Sequence, residues 1–464
     1  MEFPESFENL VILPQAFNAN LNFPPVDQIK ICDTTLRDGE QCPGVAFSPE
    51  QKLKIAIALD SIGVHILDLG FPASSESEKE AFRLILDAKR KGELSESCEL
   101  MLTARSNLAD VDHILSVLLE SSADPSEVTF FVFTAGSDLQ IKYKMGKTLL
   151  KREGRKESEW LDTPVEFYRE ANIRLLREII RTLKNRGAKN IEAGCAEDGS
   201  RSDVHYLIQL AKAAVDEGAT RIAFADTIGV MIPQSAKHYF TKLHDALPNI
   251  PIVAHCHNDY DLATINTIIA LGSGASVITC TVNGLGERAG NAALHSVMGT
   301  LHALYGLTLP GFKYEKLNEL SRLVESYSGI PLCVNEPIVG KNVFTHESGI
   351  HTAGIAIDSR IYSHLPPETF GGKSKFIFGK HSGRHAVRHV LEKNADKFTD
   401  SDIKIDDDLV IRCLKFVKEL REKNQKERSS QIIIDRYYKV MEMLGVSEEQ
   451  LVELALLIGK KRGW

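Results

Sequence analysis

Between residues 29 and about 306, short β-branched runs alternate with longer stretches in which apolar positions recur every three or four residues. The short runs are Ile29–Asp33, His65–Phe71, Glu99–Thr103, Val128–Thr134, Asn190–Gly194, Arg221–Ala225, Ile252–His255 and Val277–Val282. They are apolar on both faces, the pattern of parallel strands covered by helices. The stretches between them carry helix-start signals. Ser48-Pro49-Glu50 offers a cap followed by proline at the first helical position, and Ser74-Ser75-Glu76 and Asn107-Leu108-Ala109-Asp110 open the next two. Pro164 opens a fourth that ends on Gly187, and later ones begin near Ser202, Pro233, Asp261 and Asn291. Eight strands and eight helices in strict order predict an α/β fold, a (β/α)8 TIM barrel over 29–310, with a doubly wound open sheet as the alternative.

After residue 310 the pattern changes. A helical stretch at 314–329 is followed by a Gly- and His-rich region from 335 to 385, and 406–464 reads as two or three helices split by the charged run Lys418–Ser429. The predicted division is an N-terminal extension (1–28), the barrel (29–310), a post-barrel linker subdomain (311–400) and a mainly helical C-terminal region (401–464).

Composition narrows the partners. Of 464 residues, 43% are hydrophobic and 25% charged, enough for a large core. A net charge of −8 spread along the chain argues against nucleic acid or an anionic membrane as partner. No apolar run is long enough to span a bilayer, and MEFPESFENL lacks the order of a signal peptide, so a cytoplasmic location is expected. Eight scattered cysteines without a C-x-x-C pair suggest reduced, buried thiols.

In such a barrel the chemistry sits at the C-terminal ends of the strands, and polar residues cluster there. Strand one runs into Arg37-Asp38-Gly39-Glu40-Gln41, strand five into Cys195-Ala196-Glu197-Asp198, strand six into Asp226-Thr227, and strand seven into His255-Cys256-His257-Asn258-Asp259. Two histidines two apart on a strand share one face. With Asp38 across the same mouth they make a candidate site for Zn, Mn, Fe or Co, with positions open for substrate. Arg37 is either a structural partner of Asp38 or a fixed charge for a carboxylate or developing enolate oxygen. Glu197 is either a rim carboxylate paired with Arg201 or an acid–base group. The loop Asn283-Gly284-Leu285-Gly286 is either a tight turn or a close backbone approach to an anion, with Gly286 the candidate contact.

The motifs DTTLRDGEQ, HCHND and NGLGERAGNAAL, with GKNVFTHESGIHTAG and FGKHSGRHAV after them, resemble the Claisen-condensing synthases of the 2-isopropylmalate, citramalate and homocitrate group over roughly residues 29 to 390. The resemblance implies condensation of acetyl-CoA with a 2-oxo acid at a divalent metal (Zn, Mn or Mg), in a homodimer, with monovalent-cation activation possible. It assigns Asp38, His255, His257 and Asn291 to the metal and Arg37 and Glu197 to catalysis. It assigns Thr227 to the substrate carboxylate. It also implies that His351, accompanied by Tyr362, reaches the partner's active site as a base. Cys195, two before Glu197, would line the side-chain pocket; being small, it would leave room for an isopropyl group and so favour 2-oxoisovalerate over pyruvate or 2-oxoglutarate. The helical reading of the last 60 or so residues leads to the expectation that a leucine-regulatory domain is absent. A hydroxymethylglutaryl-CoA lyase would carry a cysteine in the strand-eight loop, which has none here. A non-catalytic metal- or metabolite-binding barrel would be expected to have lost part of this constellation.

Overall fold

The computed structural model describes residues 21–347, 351, 354–355, 358, 361–398, 404–427 and 439. Eight parallel strands close into a barrel in chain order: β1 (Lys30–Asp33), β2 (Ile66–Asp68), β3 (Glu99–Arg105), β4 (Thr129–Ala135), β5 (Asn190–Glu197), β6 (Arg221–Asp226), β7 (Ile252–Cys256) and β8 (Val277–Cys280). Closure is made by β1 against β8, with Ile31 opposite Ile278. The helices are α1 (Pro49–Ile62), α2 (Glu76–Arg90), α3 (Leu108–Glu120), α4 (Asp138–Tyr143), α5 (Gly146–Arg152), α6 (Val165–Asn185), α7 (Val204–Asp216), α8 (Pro233–Ala246), α9 (Ala263–Leu271), α10 (Leu294–Tyr305) and α11 (Leu317–Ser328). The predicted (β/α)8 barrel is therefore the observed fold, and the open sheet is excluded.

Local chemistry explains the helix starts. Ser48 caps α1 in a reciprocal pair with Gln51, Pro49 follows, and Gly63 ends the helix at φ +103°. Ser75 and Asn107 cap α2 and α3. The amphipathic face of α6 buries Tyr168, Ala171, Leu175, Ile179 and Leu183 at three- and four-residue spacing. Inside the barrel, Cys32, Ile66, Met101, Ala223, Val253 and Val277 form one buried cluster with Phe131 packed against it.

Four readings are corrected. The β4–α6 connection holds two additional short helices, α4 and α5; Ile141, Leu149 and Leu150 are fully buried and anchor them, too few apolar positions to show a period. Pro164 is the cap of α6 rather than its first residue. Helix α10 begins at Leu294, not near Asn291, because Asn291 is extended and pairs with His257 as an antiparallel bridge. Downstream, α12 (Arg384–Lys393) is followed by α13 (Asp407–Glu427), which stays helical from Lys418 to Glu427, the described part of the charged run.

The described residues form two compact units. One holds 21–314 with 319–330, and the other holds 315–318 and the described residues from 331 onward. The second unit contains a two-stranded parallel sheet, β9 (Thr345–His346) with β10 (Lys375–Phe376). Among the described residues no helix is long and apolar enough to cross a membrane.

Charge is buried toward the N-terminal end of the barrel. Arg221, first in β6, donates from Nε to Glu192 at 2.9 Å and from Nη2 to Glu99 at 2.6 Å. Its side chain is 8% exposed and that of Glu192 2%. Arg221→Met would leave two carboxylates without their cation, and a loss of about 3–5 kcal/mol in urea denaturation is expected; an unshifted midpoint would contradict it.

Candidate metal centre and active site

Strand β7 sets the site by its alternation. Val253 and His255, and His257 just beyond the strand, all line one cavity of about 270 Å³. His255 Nδ1 lies 2.8 Å from Thr279 Oγ1, and that hydroxyl donates to the Ala254 carbonyl at 3.1 Å. With the threonine's single hydrogen on that carbonyl, Nδ1 carries the imidazole proton and Nε2 is left free to present a lone pair to the cavity. Burial, reinforced by His255, lowers the His257 pKa to about 4, so this ring is neutral.

Asp38 completes the cluster. Its Oδ2 lies 3.3 Å from His255 Nε2 and 3.8 Å from His257 Nε2, and the two Nε2 atoms are 3.2 Å apart. Burial pushes the Asp38 carboxyl up, but the Arg37 guanidinium beside it leads the groups that hold it well below the usual carboxylate range. Acceptor atoms thus converge in a buried place. Ligands about 2.0–2.2 Å from one ion stand roughly 3.0–3.5 Å apart, so this spacing suits a single divalent cation. Asn291, brought alongside by its bridge to His257, has a buried Oδ1 without a hydrogen-bond partner, while its Nδ2 donates to the Leu285 carbonyl at 3.1 Å. The donor set of two imidazoles, a carboxylate and an amide oxygen fits Zn, Mn, Fe or Co.

Arg37 bridges two carboxylates, donating from Nη1 to Asp38 at 3.0 Å and from Nε to Asp68 at 2.6 Å. Asp68, not singled out in the sequence, also accepts from Thr34 Oγ1, Thr103 Oγ1 and the Gly70 N–H. The signal for it was an acid at the end of an apolar strand, Ile66-Leu67-Asp68. Thr227 lines the cavity, and its hydroxyl accepts from the Asp198 N–H at 2.8 Å, leaving its own hydrogen available.

Three residues singled out in the sequence are placed as follows. Glu197 lines the cavity, but its ion partner is Lys144, at 2.6 Å, while Arg201 pairs with Asp198. Cys195 is 2% exposed and does not line the cavity, whereas Gly194 and Ala196 on either side of it do. The pairing of β5 with β6 passes from Gly194–Ala223 to Ala196–Phe224, so Cys195 is the extra residue of a bulge. Gly286 does not line the cavity either; it lies against the Asn291 amide, where an added Cβ would stand 3.2 Å from Asp38 Oδ1. Its role here is to let the strand-eight loop approach the acceptor cluster. His351 and Tyr362 belong to the second unit, where their rings stack at 4.2 Å between centroids.

Residues 28–324 match the HMGL-like family model, and residues 338–425 match the model described as homocitrate synthase post-HMGL domain-like. The chain belongs to the HMGL-like family. Among relatives of this family, it is 40% identical to the 2-isopropylmalate synthase of Methanocaldococcus jannaschii, over 81% of this chain and 64% of that one. It is 36% identical to homocitrate synthase AksA of Methanopyrus kandleri, over 88% of this chain and 91% of that one. The chain thus spans less than two thirds of the length of the first of these relatives. The fold also resembles hydroxymethylglutaryl-CoA lyase from Pseudomonas aeruginosa, with a TM-score of 0.50, 17% identity, and coverage of 67% of this chain and 95% of that chain.

The metal centre makes a direct prediction. Asp38→Ala is expected to bind Co2+ more than ~100-fold more weakly, beyond the ~10–100-fold that loss of an outer partner costs. Titration of metal-free protein by visible absorption measures this, and retained affinity would remove Asp38 from the centre.

Proposed function

We propose that this chain condenses acetyl-CoA with 2-oxoisovalerate, giving 2-isopropylmalate and CoA. The observation that carries this reading is the lining of the cavity around the acceptor cluster. Phe71, Met101, Phe131, Phe133 and Val253 supply apolar surface beside the metal ligands. The arginines in the lining are already engaged, Arg37 by Asp38 and Asp68, and Arg288 by Asp259 at 2.8 Å. The lining also includes Asp68 and Glu192, both buried carboxylates. A branched apolar side chain suits these walls, whereas the second carboxylate of 2-oxoglutarate would be desolvated without an uncommitted cation among the described lining residues. Identity to relatives does not separate the two, because isopropylmalate and homocitrate synthases match at 40% and 36%.

A divalent cation bound by Asp38, His255, His257 and Asn291 would polarise the keto and carboxylate oxygens of the 2-oxo acid. Thr227 donates its hydroxyl hydrogen to the substrate carboxylate. The guanidinium of Arg37, held in place by Asp68, offers its remaining N–H groups to oxygen where negative charge develops. Glu197, held by Lys144, is assigned acid–base work at the new hydroxyl. The proton of the acetyl methyl is assigned to His351 with Tyr362, supplied by a second copy of the chain as the family resemblance implies. Hydrolysis of the thioester then releases CoA.

Thiol release from acetyl-CoA with pyruvate, 2-oxobutyrate, 2-oxoisovalerate and 2-oxoglutarate tests this reading. The highest kcat/KM is expected for 2-oxoisovalerate. Each missing methyl group should cost roughly 1–3 kcal/mol of discrimination. Preference for 2-oxoglutarate would overturn the substrate assignment, and no release with any of the four, metal supplied, would overturn the synthase reading.

A further inference from the structure

A lysine ammonium is buried at the wrong end of a helix. Lys52 sits at the fourth position of α1, beside the positive end of the helix dipole, with its side chain only 2% exposed. Desolvation and the dipole both oppose a cation there, so its partners must hold it. It has three, one for each ammonium hydrogen: the Leu36 carbonyl at 3.2 Å, Glu40 Oε2 at 2.5 Å and Glu78 Oε1 at 2.6 Å.

These partners lie around the residues that face the acceptor cluster. Leu36 immediately precedes Arg37, and Glu40 follows Asp38 by two. Glu40 also accepts from the Phe47 N–H at 2.8 Å, tying the far end of the loop to the start of α1. Glu78 comes from α2. The backbone of the loop itself is fastened by Arg37 N–H and Gly39 N–H to the Thr34 carbonyl and by Gln41 N–H to the Asp38 carbonyl.

We propose that Lys52 is a positioning residue for the metal centre, gripping the loop on both sides of Arg37 and Asp38 so that Asp38 Oδ2 meets the two imidazoles without the loop first having to be ordered. The proposal rests on the metal-centre reading above. A cluster that served stability alone would sit anywhere in the core. Here two of its three contacts fall within two residues of Arg37 or Asp38, and the third ties the cluster to the neighbouring helix.

The test compares metal-free wild type, Lys52→Met and Glu78→Gln by Co2+ titration in visible absorption, and by hydrogen exchange of the Arg37, Gly39 and Gln41 amides. Lys52→Met is expected to weaken Co2+ binding about 10–100-fold and to speed exchange at those amides. Where the enzyme is assayed, kcat should fall while the KM for acetyl-CoA stays within about twofold. A folded Lys52→Met with wild-type Co2+ affinity and wild-type exchange would overturn the proposal. Should Lys52→Met fail to fold, Glu78→Gln decides it: a smaller loss in the same direction supports the clamp, and unchanged affinity with unchanged exchange overturns it. Failure of the wild type itself to bind Co2+ would instead overturn the metal centre, and the clamp with it.

Discussion

Ring nitrogens of two imidazoles and a carboxylate oxygen converge within 3.2–3.8 Å at the mouth of the barrel, with Arg37 bound to the outer side of that carboxylate. Such an arrangement is costly unless a cation sits among the acceptors, and the upper barrel is organised to impose it. Thr279 holds the Nδ1 side of His255 and turns Nε2 toward the cluster. Burial keeps His257 neutral. Arg37 keeps Asp38 ionised despite burial.

The same constraint explains features that otherwise look unrelated. Asp68 accepts four hydrogen bonds, and one of them orients Arg37. Residues following β8 abandon the helical start for an extended segment, which places the Asn291 amide beside His257. Gly286 is needed where the loop passes too close to Asn291 and Asp38 for any side chain. Lys52, buried on α1, ties the β1 loop to α2. The cluster is thus supported from β1, β2, β7 and β8, while β4, β5 and β6 contribute walls of the substrate cavity.

In the proposed reaction, the choice of 2-oxo acid lies with those walls. Aromatic surface from β4 and small residues from β5 and β6 leave an apolar space, and the nearby arginines are committed to carboxylates.

Much of this was legible from the chain alone. The order of eight strands and their helices followed from hydrophobic period and caps, and the shared face of His255 and His257 followed from a period of two. Both are local properties of a backbone with fixed geometry. Where the period breaks, the sequence misleads: the bulge in β5 turns Cys195 away and gives the cavity to Gly194 and Ala196. Of the two roles open to Glu197, the ion pair with Arg201 four residues on does not form; its partner is Lys144, 53 residues back, at the end of a helix in the β4 excursion. Asp68 and Lys52 lay in unremarked strand and helix patterns. Their importance comes from distances across the barrel, between residues far apart in sequence. Period and caps determine which elements form and which way they face; only closure of the barrel decides which charges meet.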